Sequence, residues 1–520
     1  MSTANVHNKI DLETSSQNRN ITFQKKQNMS DDKNISKIKI GDQNIIENKE
    51  LNFYEALIPV VILMGMLAYN IFFVEGQEWF GAYTNQIILL LGGLVAAVVG
   101  FFNKVSINRM LIEIWENLKS IFVPVIILLL VGALAGTWLI SGVIPAMVYY
   151  GLKVLSPEIF LPASVIIAAL ISIATGSSWT TSATVGIALV GIGTEALGIP
   201  GGMVAGAIIS GAYFGDKMSP MSDTTNLAPA MAGTDLFTHI RYMAITTVPT
   251  IIVTLIVFTI ISLTMETTGE SDVSGFVNTI DTTFNITPWL FLVPGTVIAL
   301  VLLKTKPIKA LSIGVILAAI FAFIFQPEIL SNLGSSKLSS VITSVFSDTE
   351  IVTDNEKLND LFSAGGMNGM LWTIYLIICA MVFGGIMDAI GALARITKAL
   401  LSIATSVFGL FAATVASCLG LNTIASDQYL AIVIPGKMFK KAYEERGLAP
   451  ENLSRTLEDS GTVTSVLIPW NTCGAYQSGV LGVQTGDYFM YAIFNWLSPF
   501  TTLLFAAFNI KIKQLKGKSD

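Results

Sequence analysis

Apolar runs close to membrane-spanning length recur along this 520-residue chain and leave little room for a water-soluble fold. A helix needs about 20 mostly apolar residues to cross the hydrocarbon core of a bilayer. Hydrophobic residues make up 52 % of the sequence and charged residues only 13 %, whereas soluble domains carry about 25 % charged residues. The sequence therefore predicts an all-α polytopic membrane protein with about 11–13 membrane segments, including broken helices or re-entrant hairpins.

Residue counts exclude several kinds of chemistry. The two histidines, His7 and His239, cannot form a multi-histidine metal site. Cys379, Cys418 and Cys473 lie far apart in apolar segments and are typical of small core residues, not of a disulfide framework. The sequence has no Walker loop and no GxSxG motif, which argues against a primary pump or a hydrolase. We therefore expect neither an enzyme nor a cofactor.

The chain divides into three regions. Residues 1–52 are rich in asparagine and lack both apolar periodicity and the apolar core of a signal peptide, so they are predicted to be a disordered cytoplasmic tail. Residues 53–511 are predicted to form the transmembrane domain, with repeat halves at roughly 53–265 and 289–511. Residues 512–520 form a short basic tail.

The distribution of charge predicts the orientation in the cell membrane. The loop Glu266–Asp281 has four acidic residues and no Lys or Arg, and Glu328–Asp360 has six acidic residues against two lysines. Basic residues cluster instead at Lys104–Lys119, Lys304–Lys309, Arg395–Lys398 and Lys437–Arg455, and at the C-terminus. The positive-inside rule places these clusters and both termini in the cytoplasm, and the acidic loops outside.

Four polar stretches with helix-breaking residues interrupt the apolar runs. They are "TGSSWTTSATVGIALVGIG" (Thr175–Gly193), "GDKMSPMSDTTNLAPAMAG" (Gly215–Gly233), "GLNTIASDQYLAIVIPGKM" (Gly420–Met438) and "EDSGTVTSVLIPWNTCGAYQSG" (Glu458–Gly479). Two breaks at matched separation in each half are typical of inverted-repeat transporters, although shared small-residue composition is an alternative explanation. We expect the breaks around Ser178 and Asn422 to approach each other near the middle of the membrane.

The breaks also predict a kind of site. A helix interruption frees backbone carbonyls, which the membrane tolerates only where protein buries them or a watery cavity reaches them. Carbonyls freed by Pro220 and Pro229, together with Ser, Thr and Asp oxygens, form a set of hard ligands. Such ligands suit small hard cations.

At these stretches the sequence resembles the NhaC family of Na+/H+ antiporters. The resemblance is carried by "GAIISGAYFGDKMSPMSDTTNLAPAMAGTDLFTHI", "ASCLGLNTIASDQYLAIVIPGKMF" and "LEDSGTVTSVLIPWNTCGAYQSGVLGV", and it extends over roughly Phe53–Lys511. It implies a secondary antiporter of the ion transporter superfamily, with inverted repeats and re-entrant hairpins. Carried over to this chain, the ion-pathway residues are Asp216, Asp223, Thr225, Asn226, Asn422, Asp427, Asp459 and Asn471.

Asp223 ranks first among the aspartates because it lies within a break and has no adjacent Lys or Arg. Intramembrane carboxylates mark ion pathways, although an aspartate before a threonine also commonly caps a helix. Asp427 could equally begin a helix, and Asp459 adjoins basic and acidic neighbours at a helix start. Asp216 could instead pair with Lys217 or lie at the cytoplasmic edge. Asp388 is predicted to be structural.

The amide and hydroxyl side chains have two roles open to them. Asn226, Asn422 and Asn471 could coordinate a cation or tie broken helices together, because an amide offers both donors and an acceptor. Thr225 and Ser178 are weaker candidates. The resulting prediction places a Na+ site among Asp223, Thr225, Asn226 and Asp427.

Two functions remain open at this point. One is exchange of Na+, or Li+, for H+, with ion and proton competing for intramembrane aspartates; the other is Na+/H+-coupled exchange of carboxylates such as malate and lactate. A carboxylate substrate needs basic residues or helix N-termini, and Arg241, Arg395, Arg446 and Arg455 all fall in predicted cytoplasmic stretches, which favours the cation. Expected partners are Na+, H+, the lipid bilayer and a second copy of the chain in a homodimer, without nucleic acid.

Overall fold

The structure is a computed structural model that describes residues 35–40, 43–73, 83–154, 156–265, 273–303, 305–353, 359 and 362–515. Within these residues, eight helices are long and apolar enough to cross a membrane, and a further pair, Gly275–Thr283 with Pro288–Leu302, is bent by 87°. The prediction of a polytopic helical membrane protein with broken helices is therefore confirmed. Residues 1–34 and 41–42 of the expected disordered tail lie outside the described residues.

The first half of the chain contains mostly long helices. In order, its elements are β1 (Ile35–Ile40), β2 (Gln43–Asn48), α1 (Phe53–Phe73), α2 (Thr84–Phe102), α3 (Ile107–Ser120), α4 (Phe122–Ile140), α5 (Val143–Val154), α6 (Pro157–Thr175), α7 (Ser178–Thr181), α8 (Ile187–Gly191), α9 (Gly201–Met218), α10 (Asp223–Ala232) and α11 (Leu236–Thr264). Wider π-helical turns at Ser182–Gly186 and Ile192–Ala196 follow α7 and α8.

The second half contains more short helices. In order, its elements are α12 (Val273–Thr283), α13 (Leu292–Leu302), α14 (Pro307–Phe325), α15 (Pro327–Leu333), α16 (Lys337–Phe346), β3 (Thr349–Glu350), β4 (Ser363–Ala364), α17 (Gly366–Gly369), α18 (Leu371–Ala389), α19 (Ala392–Ser402), α20 (Val407–Ile424), α21 (Gln428–Glu445), α22 (Pro450–Leu457), α23 (Thr472–Leu481), α24 (Thr485–Tyr488) and α25 (Ile493–Ala507). Turns of 3-10 helix precede α13 at Pro288–Phe291 and lie at Ser465–Leu467, and a π-helical turn at Glu458–Thr462 follows α22.

Both described ends of the chain lie at one end of the bundle, which we call the tail end. Strand β2 pairs antiparallel with β1, and Glu47 in β2 contacts Lys398 of α19 at 2.5 Å, so β2 lies beside α19. Glu50 lies 3.7 Å from Lys104. Near the C-terminus, the backbone N–H of Ala449 donates to the carbonyl of Lys513 at 2.9 Å. Basic segments and both described ends of the chain thus share one end.

The acidic loops meet at the opposite end, which we call the loop end. The rings of Phe284 and Phe362 contact each other edge to face at 5.0 Å. Gln326 exchanges two hydrogen bonds of 3.1 Å with the backbone of Asn285. Charge is therefore segregated between the two ends of the bundle in the way that the sequence predicts.

Two hairpins reach into the bundle from opposite ends. In the first half, α6 begins at the loop end, where Ser262 donates to the carbonyl of Pro157, and the chain turns back at Gly176 (φ +70°). In the second half, α20 and α21 begin and finish at the tail end and turn between Ile424 and Gln428. The hydroxyls of Thr414 and Tyr443 are 3.2 Å apart, as this antiparallel arrangement requires.

Each half also has one broken membrane crossing. The α9–α10 crossing runs from the loop end to Gly233, which packs beside Lys440 at the tail end, and it breaks between Met218 and Asp223. The α22–α23 crossing runs the other way and breaks between Thr462 and Thr472. Opposed hairpins and opposed broken crossings are the arrangement expected of an inverted repeat.

Helices α6 and α9 pack closely because α9 presents glycines to α6. A Cβ atom at Gly211 would lie 2.2 Å from the carbonyl oxygen of Val165, and one at Gly215 would lie 2.5 Å from that of Ala169. Small residues let helix backbones approach in membranes, where the hydrophobic effect does not drive helix association. This contact places the hairpin tip beside the C-terminal end of α9.

Candidate cation site

A cavity of about 1050 Å³ opens at the tail end and extends inward to both hairpin tips. Its lining includes Gly176 and Ser177 at the first tip and Asp427 at the second. Both breaks therefore border the same cavity, and the close approach of Ser178 and Asn422 stays a prediction. We call this space the tail-end cavity.

The lining of this cavity is strongly acidic. Among the described lining residues, Lys306 is the one with a basic side chain, and the carboxylates are Glu113, Glu116, Asp216, Asp223, Asp388 and Asp427. Arg109 lies 3.5 Å from Glu113 and Lys119 lies 2.9 Å from Glu116, so these two are paired with basic side chains. The carboxylates of Asp216, Asp223 and Asp427 also line the cavity and favour cations over anions.

Asp216 lies where the first hairpin tip meets the C-terminal end of α9. Its Oδ2 accepts hydrogen bonds from the backbone N–H of Ser178 at 3.1 Å and from the Ser178 hydroxyl at 2.7 Å. Ser178 is buried, whereas Asp216 is half-buried and lines the cavity. The carboxylate is therefore held in place by the hairpin while it can still be reached from the cavity.

Side chains of α10 donate hydrogen bonds to backbone carbonyls that the helix break leaves without helical partners. Ser222 caps α10, and the Thr225 hydroxyl donates to the carbonyls of Asp216 (3.2 Å) and Lys217 (3.1 Å). The Asn226 amide donates to the carbonyls of Pro220 (3.0 Å) and Ser222 (2.7 Å). Thr225 and Asn226 thus tie the break together, and several freed carbonyls already have donors.

Asp223 and Asp427 both lie at helix N-termini that face the cavity. Asp223 is the first residue of α10 and is exposed. Asp427 is 8 % exposed and caps α21, with its Oδ1 accepting from the backbone N–H of Leu430 at 3.0 Å. A carboxylate at a helix N-terminus is stabilised by the backbone dipoles, so part of the charge at both positions is already compensated.

Asn422 and Asn471 hold the second half together. The Asn422 amide donates to the carbonyl of Gly461 at 2.7 Å and to the Thr464 hydroxyl at 3.0 Å. The Asn471 amide donates to the carbonyl of Asn422 at 2.9 Å, and its Oδ1 caps α23. Both side chains are fully buried. Of the two roles that the sequence allows for these asparagines, their contacts correspond to joining the broken helices rather than to coordinating a cation.

Asp459 lies outside the cavity lining, in a buried ion pair with Lys217. Both side chains are fully buried. Asp459 also accepts hydrogen bonds from the hydroxyls of Thr246 (2.9 Å), Thr502 (2.5 Å) and Ser498 (3.3 Å). The pairing of Lys217 with adjacent Asp216, considered from the sequence, does not occur, because successive helix residues point about 100° apart.

A stacked aromatic pair separates this cavity from a second one. The rings of Trp179 and Tyr476 stack with centroids 3.9 Å apart and planes at 17°, and the Tyr476 hydroxyl donates to the Trp179 carbonyl at 3.1 Å. A cavity of about 790 Å³, lined by Ile187, Thr194 and Gly479, lies on the other side at the loop end. We call it the loop-end cavity.

Sequence reasoning missed the carboxylates of α3. Glu113 and Glu116 fall in a stretch treated as a cytoplasmic loop, yet the stretch alternates charged and apolar residues as an amphipathic helix does. This periodicity is the sequence signal that could have identified α3 as a helix and placed its carboxylates beside the membrane domain. Among the described residues, no three His, Cys, Asp or Glu side chains come together as a metal site, so a bound cation would also need hydroxyl or carbonyl oxygens.

Comparisons with known proteins agree with this architecture. A model of the Na+/H+ antiporter family matches residues 211–510. The Na+/H+ antiporter NhaC of Alkalihalophilus pseudofirmus is 38 % identical over 419 residues, which is 81 % of this chain and 89 % of that protein. NhaC of Bacillus subtilis is 36 % identical over 391 residues, or 75 % and 84 % of the two chains.

A relative named for other substrates is almost as similar. The malate-2H+/Na+-lactate antiporter of Bacillus subtilis is 35 % identical over 415 residues, which is 79 % of this chain and 86 % of that protein. The matches cover most of each chain, and the family model includes the breaks at Gly215–Gly233, Gly420–Met438 and Glu458–Gly479. The chain therefore belongs to the Na+/H+ antiporter family that includes the NhaC proteins.

Proposed function

We propose that the protein is a secondary antiporter that exchanges Na+ for H+ across the cell membrane, and that the exchanged cation binds at Asp216. The observation that carries this proposal is the acidic tail-end cavity, which leads to Asp216 at the meeting point of the broken helices. Ser178 orients the carboxylate. The hydroxyl and carbonyl oxygens of the same break are hard ligands of the kind that small cations prefer.

Competition for one carboxylate is enough to exchange the two ions. A bound Na+ satisfies the negative charge of Asp216 and disfavours its protonation, and a bound proton removes the charge that holds Na+. If the carboxylate changes access between the two cavities only when it is occupied, each movement of Na+ is matched by protons moving the other way. The Trp179–Tyr476 stack lies between the cavities and would have to separate in that step.

Carboxylate exchange is a second candidate, because one relative is named for malate and lactate. The tail-end cavity offers little to an anion: it has no arginine among its described lining residues. The helix N-termini at Asp223 and Asp427 already carry carboxylates, which would repel another. Arg455 is fully buried and is not part of the lining of the tail-end cavity. Its guanidinium lies over the Tyr242 ring, 4.6 Å from the ring centroid. The geometry thus favours a cation.

The two functions can be separated in everted membrane vesicles that contain the full-length protein. After respiration has acidified the vesicles, Na+, Li+, K+, malate or lactate is added in turn, and a pH-sensitive dye reports proton release. We expect Na+ to release protons and the carboxylates, added as choline salts, to have no effect. Proton release that needs malate or lactate would favour the second candidate instead.

We also propose that the tail end faces the cytoplasm, as the positive-inside rule requires. Asp348 is exposed at the loop end, and Glu444 is exposed at the tail end. In a background without Cys379, Cys418 and Cys473, Asp348→Cys should react with an impermeant thiol reagent in intact cells. Glu444→Cys should react only in everted vesicles. The reverse pattern would invert the orientation.

A further inference from the structure

The tip of the first hairpin packs directly against the break in the α9–α10 crossing. Gly176 follows α6 with φ +70°, and a Cβ atom on this residue would lie 2.7 Å from the Cβ and 2.8 Å from the carbonyl carbon of Met221. It would also lie 3.0 Å from the backbone nitrogen of Ser222. Two of these atoms belong to the backbone and the third is a Cβ, so no change of side-chain rotamer moves any of them. Only a glycine lets the tip come this close to the break.

The second hairpin shows that the backbone conformation of a tip does not by itself require glycine. Its tip residue, Ser426, has φ +58° and precedes Asp427, which caps α21. In the same way, Gly176 precedes Ser177, which caps α7. The Ser426 carbonyl accepts a hydrogen bond from the backbone N–H of Thr472 at 3.0 Å, so this tip also touches the break of its own half. A serine therefore fits at one tip, whereas at the other the break leaves no space for a side chain.

The same contact fixes the distance between the two elements that border the proposed cation site. Ser178, two residues after Gly176, holds the Asp216 carboxylate through its backbone N–H at 3.1 Å and its hydroxyl at 2.7 Å. Residues 175–177 of the tip and 220–222 of the break line the same cavity as Asp216. The spacing of the tip and the break therefore sets the width of the space beside this carboxylate.

We propose that Gly176 determines which size of cation the site prefers, because it lets the hairpin tip pack closely enough against the break for oxygens of both elements to contact Na+. This inference rests on the proposed binding of the exchanged cation at Asp216. Hard cations are told apart by the size of the site and by the number and rigidity of its oxygen ligands. A tip held further from the break leaves a wider site, which keeps its contacts with the larger K+ and loses contacts with Na+ and the smaller Li+. Gly176 is thus a positioning residue that sets selectivity.

The affinities for Li+, Na+ and K+ test this inference. The full-length protein is purified in detergent, and the rise of its thermal unfolding midpoint is measured as each cation replaces choline at constant ionic strength. Carbon atoms pack at about 3.5–4.0 Å, so the methyl group of Gly176→Ala should displace the tip by about 1 Å. Because a misplacement of about 1 Å can cost about 100-fold at a positioned site, we expect the Na+ and Li+ affinities to fall at least about tenfold. The K+ affinity should fall less, so that the ratio of K+ to Na+ affinity rises.

Two matched variants separate the contact from the backbone strain. Gly198 has φ +66° and is exposed, and a Cβ atom placed there would have no described atom within 4 Å. Gly198→Ala therefore carries similar strain without the contact and should keep the wild-type affinities. Gly176→Asn introduces a residue that adopts positive φ more readily than alanine but has the same Cβ, so it should reproduce the effect of Gly176→Ala.

The outcomes distinguish this inference from the proposed function. An unchanged ratio of K+ to Na+ affinity in folded Gly176→Ala overturns the inference, and so does an equal loss of affinity for all three cations. If both Gly176 variants fail to fold while Gly198→Ala folds, the contact supports the fold rather than the selectivity, and the inference is also wrong. The proposed cation site itself fails if Na+ does not stabilise the wild type, or if Asp216→Asn keeps the wild-type response to Na+.

Discussion

Asp216→Asn is expected to abolish Na+-driven proton movement while the protein still inserts and folds. The amide keeps the size of the side chain and the hydrogen bond from the Ser178 hydroxyl, but removes the charge that attracts Na+ and the group that takes up a proton. Losing one partner of a desolvated charge contact typically costs about 2–5 kcal/mol, so the apparent Na+ affinity should fall by at least about 30-fold. Vesicle assays over a range of Na+ concentrations measure the proton movement, and 22Na+ binding to the purified protein measures the affinity.

Two matched variants show whether the position matters or only the charge. Asp223→Asn removes an exposed carboxylate at the cavity mouth and should have a smaller effect, because water screens its charge. Asp348→Asn removes an exposed carboxylate at the loop end and should have none. If Asp223→Asn abolishes exchange and Asp216→Asn does not, the cation binds nearer to the cavity mouth.

Removing either partner of the Lys217–Asp459 pair should strongly destabilise the protein. Both side chains are fully buried, and breaking such a pair leaves an uncompensated charge, which typically costs about 3–5 kcal/mol. Lys217→Met and Asp459→Leu should each lower the thermal unfolding midpoint of the purified protein in detergent. The double variant should recover much of the loss, because it leaves neither charge unpaired.

An exposed ion pair provides the comparison. Lys119 and Glu116 are 2.9 Å apart, with side chains 51 % and 57 % exposed, and such pairs contribute about 0–1 kcal/mol. Lys119→Met should therefore leave the unfolding midpoint nearly unchanged. A normal midpoint in Asp459→Leu, together with lost transport, would instead give Asp459 the ion-binding role that the sequence allowed.

The positions of the breaks could be predicted from the sequence because they depend on local chemistry. Gly176 takes up a positive φ, and Ser222, Asp427 and Asn471 cap the helices that resume after the breaks. These preferences belong to single residues and their immediate neighbours. The hairpin turn at Ala425–Asp427 falls within the polar stretch Gly420–Met438 that the sequence analysis identified as a break.

The partners of the polar residues could not be predicted in the same way. Lys217 and Asp459 are 242 residues apart, and only the packed halves bring them together. The ranking of Asp223 above Asp216 rested on the adjacent lysine, yet that lysine faces the other half of the molecule. Which face of a helix a charge occupies, and what lies opposite, is decided by tertiary packing.

The thin wall between the two cavities determines where the membrane voltage acts. Thr180 lines the tail-end cavity and Ile187 lines the loop-end cavity, and seven residues span about 10 Å of helix. Water that fills both cavities confines the voltage drop to this wall, so the electric field there is about three times that across a 30 Å hydrocarbon core. An ion that moves only this short distance therefore experiences most of the roughly 2.3 kcal/mol per charge that 100 mV provides.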